Sequence, residues 1–156
     1  MAGLAAATFR DAFGSENDDA DLALHLARSY GLPQQTAELA HPAITTLLAF
    51  AAGELAGYAQ LRPGLPPPCV AAARPIELWR FYVARPWHGR GVAQSLMAAV
   101  VTAARARRAA TLWLGVWERN PRAQAFDKKS GFVDVGSQTF TVGTDPQHDR
   151  VMELPL

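Results

Sequence analysis

The spacing of apolar residues along the chain changes several times, and each change marks a different element. Over the first forty residues the apolar positions keep helical spacing. Asp18 and Asp19 are acidic candidates for the start of a helix carrying Leu22, Leu26 and Tyr30, which Gly31 and Pro33 close. A second, short helix follows from about Gln34 to Ala40 and stops near Pro42. The period then shortens. Ile44 to Phe50 and Leu55 to Leu61 are apolar runs split by Ala52, Gly53 and Glu54, which predicts a hairpin. Arg62 to Pro75 is rich in Pro, Gly and Ala, a loop composition with the reach to cover a site.

Ile76 to Ala84 resumes as a strand and ends at Arg85-Pro86. From Gly91 to Arg108, the residues Val92, Leu96, Val100 and Ala104 fall four apart and form one apolar stripe, predicting a long helix. Thr111 to Trp117 reads as a buried strand. Packing is the default for both of its faces, with Trp113 and Trp117 alternating with Leu114 and Val116, and Gly115 leaves room for a close neighbour. Asn120 and Pro121 open a further helix that Gly131 ends. Phe132 to Val142 and Arg150 to Leu154 finish the chain as strands around a turn containing Gly143 and Pro146. This order predicts an α/β (α+β) protein with a mixed sheet and strand–helix–strand units in its middle.

Composition narrows the class. The chain has 156 residues, 49% hydrophobic and 19% charged, which suits one folded domain over 1–156 and excludes disorder. A net charge of +1 argues against nucleic acid as a partner, and Arg105, Arg107 and Arg108 complement the dipole at a helix end. Cys69 is alone, in a Pro-rich loop, so it has no internal disulfide partner. His25, His41, His88 and His148 show no ligand spacing, so no metal is expected. The start lacks the features of a signal peptide and no apolar run is long enough to span a membrane. A cytoplasmic protein without a membrane partner is the expectation.

The chemistry concentrates where the strand ending near Ala84 meets the long helix. Gly89 and Gly91 let the backbone bend and approach a ligand, and the amides of Arg90 to Ala93 would point at one spot, backed by the helix dipole. An anion such as a pyrophosphate is bound there without a metal; an ordinary tight connection is the other reading. The segment is not a P-loop, because no Lys-Ser/Thr follows the glycines. It also lacks the third glycine and the later acidic residue of the dinucleotide fingerprint.

The run His88-Gly-Arg-Gly-Val-Ala93 resembles the acyl-CoA signature of the GNAT superfamily of N-acetyltransferases. The strand before it, Leu96-Met97 after it, the stretch Trp113 to Asn120 and the run Ala125 to Phe132 are also similar to that family. The wording is closest to bacterial members known as spermine/spermidine acetyltransferases. The resemblance implies a mostly antiparallel sheet splayed between the family's fourth and fifth strands, and acetyl-CoA as co-substrate. It implies direct acetyl transfer to a primary amine of a small molecule, a polyamine or a peptide in a ternary complex. His88, Gly89, Arg90, Gly91, Val92, Ala93 and Gln94 are then the cofactor loop, Val83 offers its amide to the thioester carbonyl, and Asn120 and Phe126 touch the pantetheine. Asn120 also serves as a helix cap, and Phe126 as core packing.

Two positions depart from the pattern. His88 stands where the family has Gln or Arg, a tolerable change if main-chain amides do the binding. Asp127 stands where the family has the tyrosine assigned to protonating the leaving thiolate. The family's first strand is absent or reduced before Ala5, which leaves a sheet edge that a second copy of the chain, in a homodimer, is a candidate to cover. Asp127 reads first as a surface helix residue beside Lys128 and Lys129, and second as a protonated acid replacing the tyrosine. Tyr82 and Tyr58 are substitute acids. Glu77 is the candidate base, with a structurally paired carboxylate as its other reading. The acidic stretch Glu16 to Asp19, with Asp21, is either a lure for a polyamine or a solvated helix start. A catalytically weak acyl-CoA-binding or regulatory protein is the rival reading, raised by Asp127.

Overall fold

The computed structural model describes residues 2–13, 23, 26–27, 29–142 and 145–156. Helices α1 (Ala2–Phe13) and α2 (Leu32–Ala40) precede the hairpin strands β1 (Thr45–Ala51) and β2 (Glu54–Arg62). Strand β3 (Pro75–Val83) leads through a short turn at Arg85–Trp87 into α3 (Val92–Ala106). Then come β4 (Thr111–Trp117), α4 (Pro121–Lys129) and the strands β5 (Val133–Val142) and β6 (Asp145–Pro155). Leu22, the acidic stretch at Glu16 to Asp21, His25 and Gly143 lie outside the described residues.

The sheet runs β1-β2-β3-β4-β6-β5, and every neighbouring pair is antiparallel except β3 and β4. Those two strands pair in parallel over Pro75, Ile76 and Glu77 alone, opposite Thr111, Leu112 and Trp113. The cause is local. Gln60 faces Arg80 while Leu61 faces Leu78, so Trp79 is an extra residue in β3. Such a bulge bends and twists its strand, and β3 parts from β4 just before it. Among the described residues no strand precedes β1, so the predicted splay between the family's fourth and fifth strands falls here between β3 and β4.

Apolar alternation buries both faces. On one, Ile76, Leu78, Leu112, Leu114 and Val116 pack against Leu96, Met97, Val100 and Ala104 of α3. On the other, Ala5 and Phe9 of α1, with Leu26 and Tyr30, cover Tyr58, and Tyr82 packs against them. Arg80, 4% exposed, makes an ion pair with Glu38 of α2 and donates to Gln60 Oε1 at 3.0 Å and to the Ser29 carbonyl at 2.9 Å. Removing one member of such a buried pair costs about 3–5 kcal/mol, because the other charge is left unmatched. Helix α2 is thereby fixed to the sheet.

Two boundaries differ from expectation. Pro33 opens α2 within its first turn instead of closing the helix before it, because a missing N–H is harmless there. Strand β6 starts at Asp145 although its first residues read as a turn. Pairing with β4 begins only at Asp149, opposite Trp117, so Pro146 lies where β6 has β5 alone as a neighbour, an edge position that tolerates proline.

Candidate functional site

Where β3 leaves β4 the sheet holds a cleft of about 330 Å³ that passes from one face to the other. Toward α3 and α4 its walls include Val83, Ala93, Gln94, Phe126 and Asp127. Toward α1 they include Thr8, Asp11, Trp79, Tyr82 and Trp117. Gly115, exposed in a strand whose other residues are buried, forms the floor between them.

The main chain supplies donors. The Ala84 amide binds the Ala56 carbonyl at 2.8 Å, so by strand alternation the Val83 amide faces the opposite edge, toward the gap. Gly89 and Gly91 hold φ of +72° and +84°, left-handed values that a side chain resists. Gly91 caps α3 with no side-chain bond, and the first helical bond runs from the Ser95 amide to Gly91. The preceding amides of the first turn therefore have no partner within the helix and make an anion site. His88, Gly89, Ala93 and Gln94 line the cleft, whereas Arg90, Gly91 and Val92 line an adjoining groove beside β1. The Arg90 guanidinium rests over the Trp87 ring, 5.5 Å from its centroid.

His88 bridges the site's parts. Arg122, a donor only, approaches Nδ1 at 2.7 Å, so Nε2 carries the hydrogen and donates to the Val83 carbonyl at 2.8 Å. This ties the end of β3 to α4 through the residue that breaks the signature. Asn120 Oδ1 accepts from the Ala123 amide at 3.1 Å, which confirms the cap; its NH₂ group is left to serve the cleft it lines. Phe126 stacks on Phe81 with centroids 5.6 Å apart.

The ionisable residues depart most from the sequence reading. Asp127 is not a surface residue: it is 6% exposed and faces the cleft, while Lys128 and Lys129 point outward. Burial raises its carboxyl from 3.8 to about 7, and its side chain has no hydrogen-bond partner among the described residues. Glu77 is not brought to the cleft. It sits at the closed, paired end of β3, where Arg62 takes both its oxygens at 2.5 and 3.2 Å. Tyr82 lines the cleft with its hydroxyl 3.2 Å from that of Tyr30, and burial pushes it well above the ordinary tyrosine range. Tyr58 is fully buried outside the cleft and its hydroxyl has no partner among the described residues.

Asp149 is a second buried carboxylate, one that the sequence did not single out. It pairs across from Trp117, is 8% exposed, and burial, then the charge of Glu118, raises it to about 6. A Cβ placed on Gly115 would meet Asp149 Oδ2 at 2.9 Å and Gln138 Nε2 at 2.7 Å, so both side chains fill the space over that glycine, while the residues lining the cleft include neither. Among the described residues no three His, Cys, Asp or Glu side chains gather as a metal site, and no helix is long and apolar enough to cross a membrane.

Comparison with known proteins gives a consistent picture. The model of the acetyltransferase (GNAT) family matches residues 6–132. An uncharacterised N-acetyltransferase of Mycobacterium bovis is 38% identical over 104 residues, 67% of this chain. The match spans 62% of that relative's length. An uncharacterised N-acetyltransferase of Lactobacillus delbrueckii subsp. lactis is 28% identical over 96% of this chain and 86% of its own. Among solved structures, the PaiA N-acetyltransferase of Thermoplasma acidophilum in complex with coenzyme A has the same fold. It superposes with a TM-score of 0.76 over 99% of this chain and 90% of its own, at 16% identity.

Proposed function

The chain belongs to the acetyltransferase (GNAT) family, and from that premise we propose that it transfers the acetyl group of acetyl-CoA directly to a primary amine, with both substrates bound together. One observation carries this reading. The parting of β3 and β4 after three residue pairs opens a passage through the sheet, so two substrates enter from opposite faces and meet at its middle. No covalent relay is then needed. The amine belongs to a small molecule, polyamines included, or to a peptide.

The residues fit the cofactor by their donor set. The uncapped start of α3, with its left-handed Gly91, suits a pyrophosphate. Val83, Phe126 and Asn120 line the way inward for an extended, mostly apolar arm with amide groups. When bound, acetyl-CoA supplies an activated acyl carbon and a thiolate leaving group. The Val83 amide is the donor placed for charge developing on the acyl oxygen, and fixed donors of this kind contribute strongly to catalysis. His88 holds that stretch of β3 in place through the carbonyl of the same residue, which points to the same edge as its amide.

Asp127 takes the acid's part. An ionised carboxylate would repel a departing thiolate, but burial keeps a large share of Asp127 protonated near neutrality, where it donates a proton to sulfur. Glu77 is left out of the chemistry, since a carboxylate held at both oxygens by a guanidinium is a weak base.

The test is calorimetric titration of acetyl-CoA into the parent and Gly91→Val, with CoA release measured against a panel of amines. A valine resists a φ of +84° and should weaken binding at least about tenfold in a variant with an unchanged circular-dichroism spectrum. Equal affinity in a folded variant refutes the anion site. Tight binding with no release for any amine refutes transfer and leaves an acyl-CoA-binding protein.

A further inference from the structure

Along the cleft, β3 runs without a ladder partner. From Leu78 to Val83 none of its residues pairs with β4, so backbone hydrogen bonds on that side do not set how far the two strands stand apart. An unpaired strand edge invites pairing, and a gap of one width needs another support.

That support comes from the face that carries α1 and α2. The extra residue in β3 interrupts the alternation of side chains, so Trp79 and Arg80 lie on the same side of the sheet. The Arg62 guanidinium carbon lies 3.9 Å from the centroid of the Trp79 ring, and that of Arg80 lies 4.1 Å from it. Two guanidinium groups this close to one centroid cannot share a face, so they sandwich the indole. Each cation is held in turn by a carboxylate, Arg62 by Glu77 and Arg80 by Glu38. Arg80 also rests over the Tyr30 ring at 4.6 Å, and the Tyr30 hydroxyl is 3.2 Å from that of Tyr82, the neighbour of Val83. The stretch of β3 without a partner is thus fixed at both ends by charges and rings.

We infer that Trp79, clamped between Arg62 and Arg80, is a positioning residue for the transfer: it sets the width of the gap between β3 and β4 and with it the place of the Val83 amide. The inference rests on the acetyl-transfer reading and deepens it, because it names what keeps the shared passage at one width. A gap held in advance spares the ordering that binding an extended arm would otherwise cost. With the clamp loosened, the stretch from Leu78 to Val83 samples several widths, and affinity falls with the fraction that receives the arm. The Val83 amide then also leaves the point where charge develops on the acyl oxygen, which lowers kcat.

Three variants decide, each measured by calorimetric titration with CoA, by CoA release from acetyl-CoA with a panel of amines, and by urea unfolding. Trp79→Leu offers no ring face and should weaken CoA binding and lower kcat about tenfold each. Trp79→Phe restores a face and should return both to within about threefold of the parent. Arg62 is not among the residues lining the cleft, so Arg62→Gln separates the clamp from direct contact with a substrate. It should weaken CoA binding about threefold, and it serves alone if Trp79→Leu does not fold. Variants that unfold at lower urea yet bind CoA and turn over like the parent make the stack a stabilising device only and overturn the inference. Loss confined to the Trp79 variants, with Arg62→Gln unchanged, overturns it as well. If CoA affinity follows the expected order but no protein, the parent included, acetylates any amine, the transfer reading fails while the clamp on the gap stands.

Discussion

Asp127→Asn tests whether a neutral carboxylic acid is built into the cleft, and it does so through stability alone. Burial raises the carboxyl from 3.8 to about 7. At about 1.4 kcal/mol for each pH unit, that difference corresponds to about 4 kcal/mol in total. The native state binds the proton more tightly than the unfolded chain. The stabilisation is therefore complete below the unfolded value near 3.8 and is lost as pH rises through about 7. Roughly 2–3 kcal/mol of it disappears between pH 5 and pH 8. The asparagine variant has no such slope at this site, so it should gain that much on the parent between those two pH values. A buried, unpaired amide carries its own cost, but that cost does not change with pH and cancels from the comparison. Asp149 is raised as well, yet it is present in both proteins and cancels too. The assay is urea unfolding of both proteins at the two pH values. A stability difference that stays constant refutes the raised carboxyl and, with it, the proposed acid. In the active enzyme the same substitution should lower kcat and remove an alkaline limb near pH 7.

Glu77→Gln should cost about 1–2 kcal/mol of stability, because it weakens a charge-assisted pair with Arg62, and should leave the pH profile of transfer unchanged. Thermal unfolding and steady-state rates check both; loss of the acidic limb would restore Glu77 as the base. Asn120→Ala should cost about 1 kcal/mol through the lost cap and also weaken acetyl-CoA binding, read by calorimetry. A stability loss without any change in affinity would confine Asn120 to the cap.

What the sequence made legible was local. Gly89, Gly91 and the apolar stripe of α3 lie within a few residues of one another, and helix-start chemistry follows from that spacing. Asn120 and Pro121 open α4 for the same reason. Asp127 was harder, since which face of a short helix is buried depends on the strand it meets. Its neighbours Lys128 and Lys129 suggested the wrong face. Whether Glu77 was a base or a paired carboxylate stayed open in the sequence, because its partner, Arg62, comes from the previous strand across a long loop. Asp149 was hidden further still. It lies in a run rich in turn-forming residues, and only the pairing of β6 with β4 sets it opposite Trp117 and over Gly115. The splay itself depends on Trp79, whose extra place in β3 exists only relative to the register of β2.

The two buried carboxylates carry the argument beyond family likeness. Asp127 belongs to a helix on one face of the sheet, and Asp149 stands over Gly115 on the other. Each is a liability where it is buried, because among the described residues neither has a partner to hold its charge. The group at about 7 is about half protonated near neutrality, which suits the proposed acid on the sulfur side. Amine acetylation needs a proton removed on the acceptor side and one supplied on the sulfur side. The lost tyrosine therefore does not imply lost chemistry. On the proposed reading a carboxylic acid kept neutral by burial takes the part of the phenol, and its value of about 7 predicts transfer that falls off as pH rises through about 7.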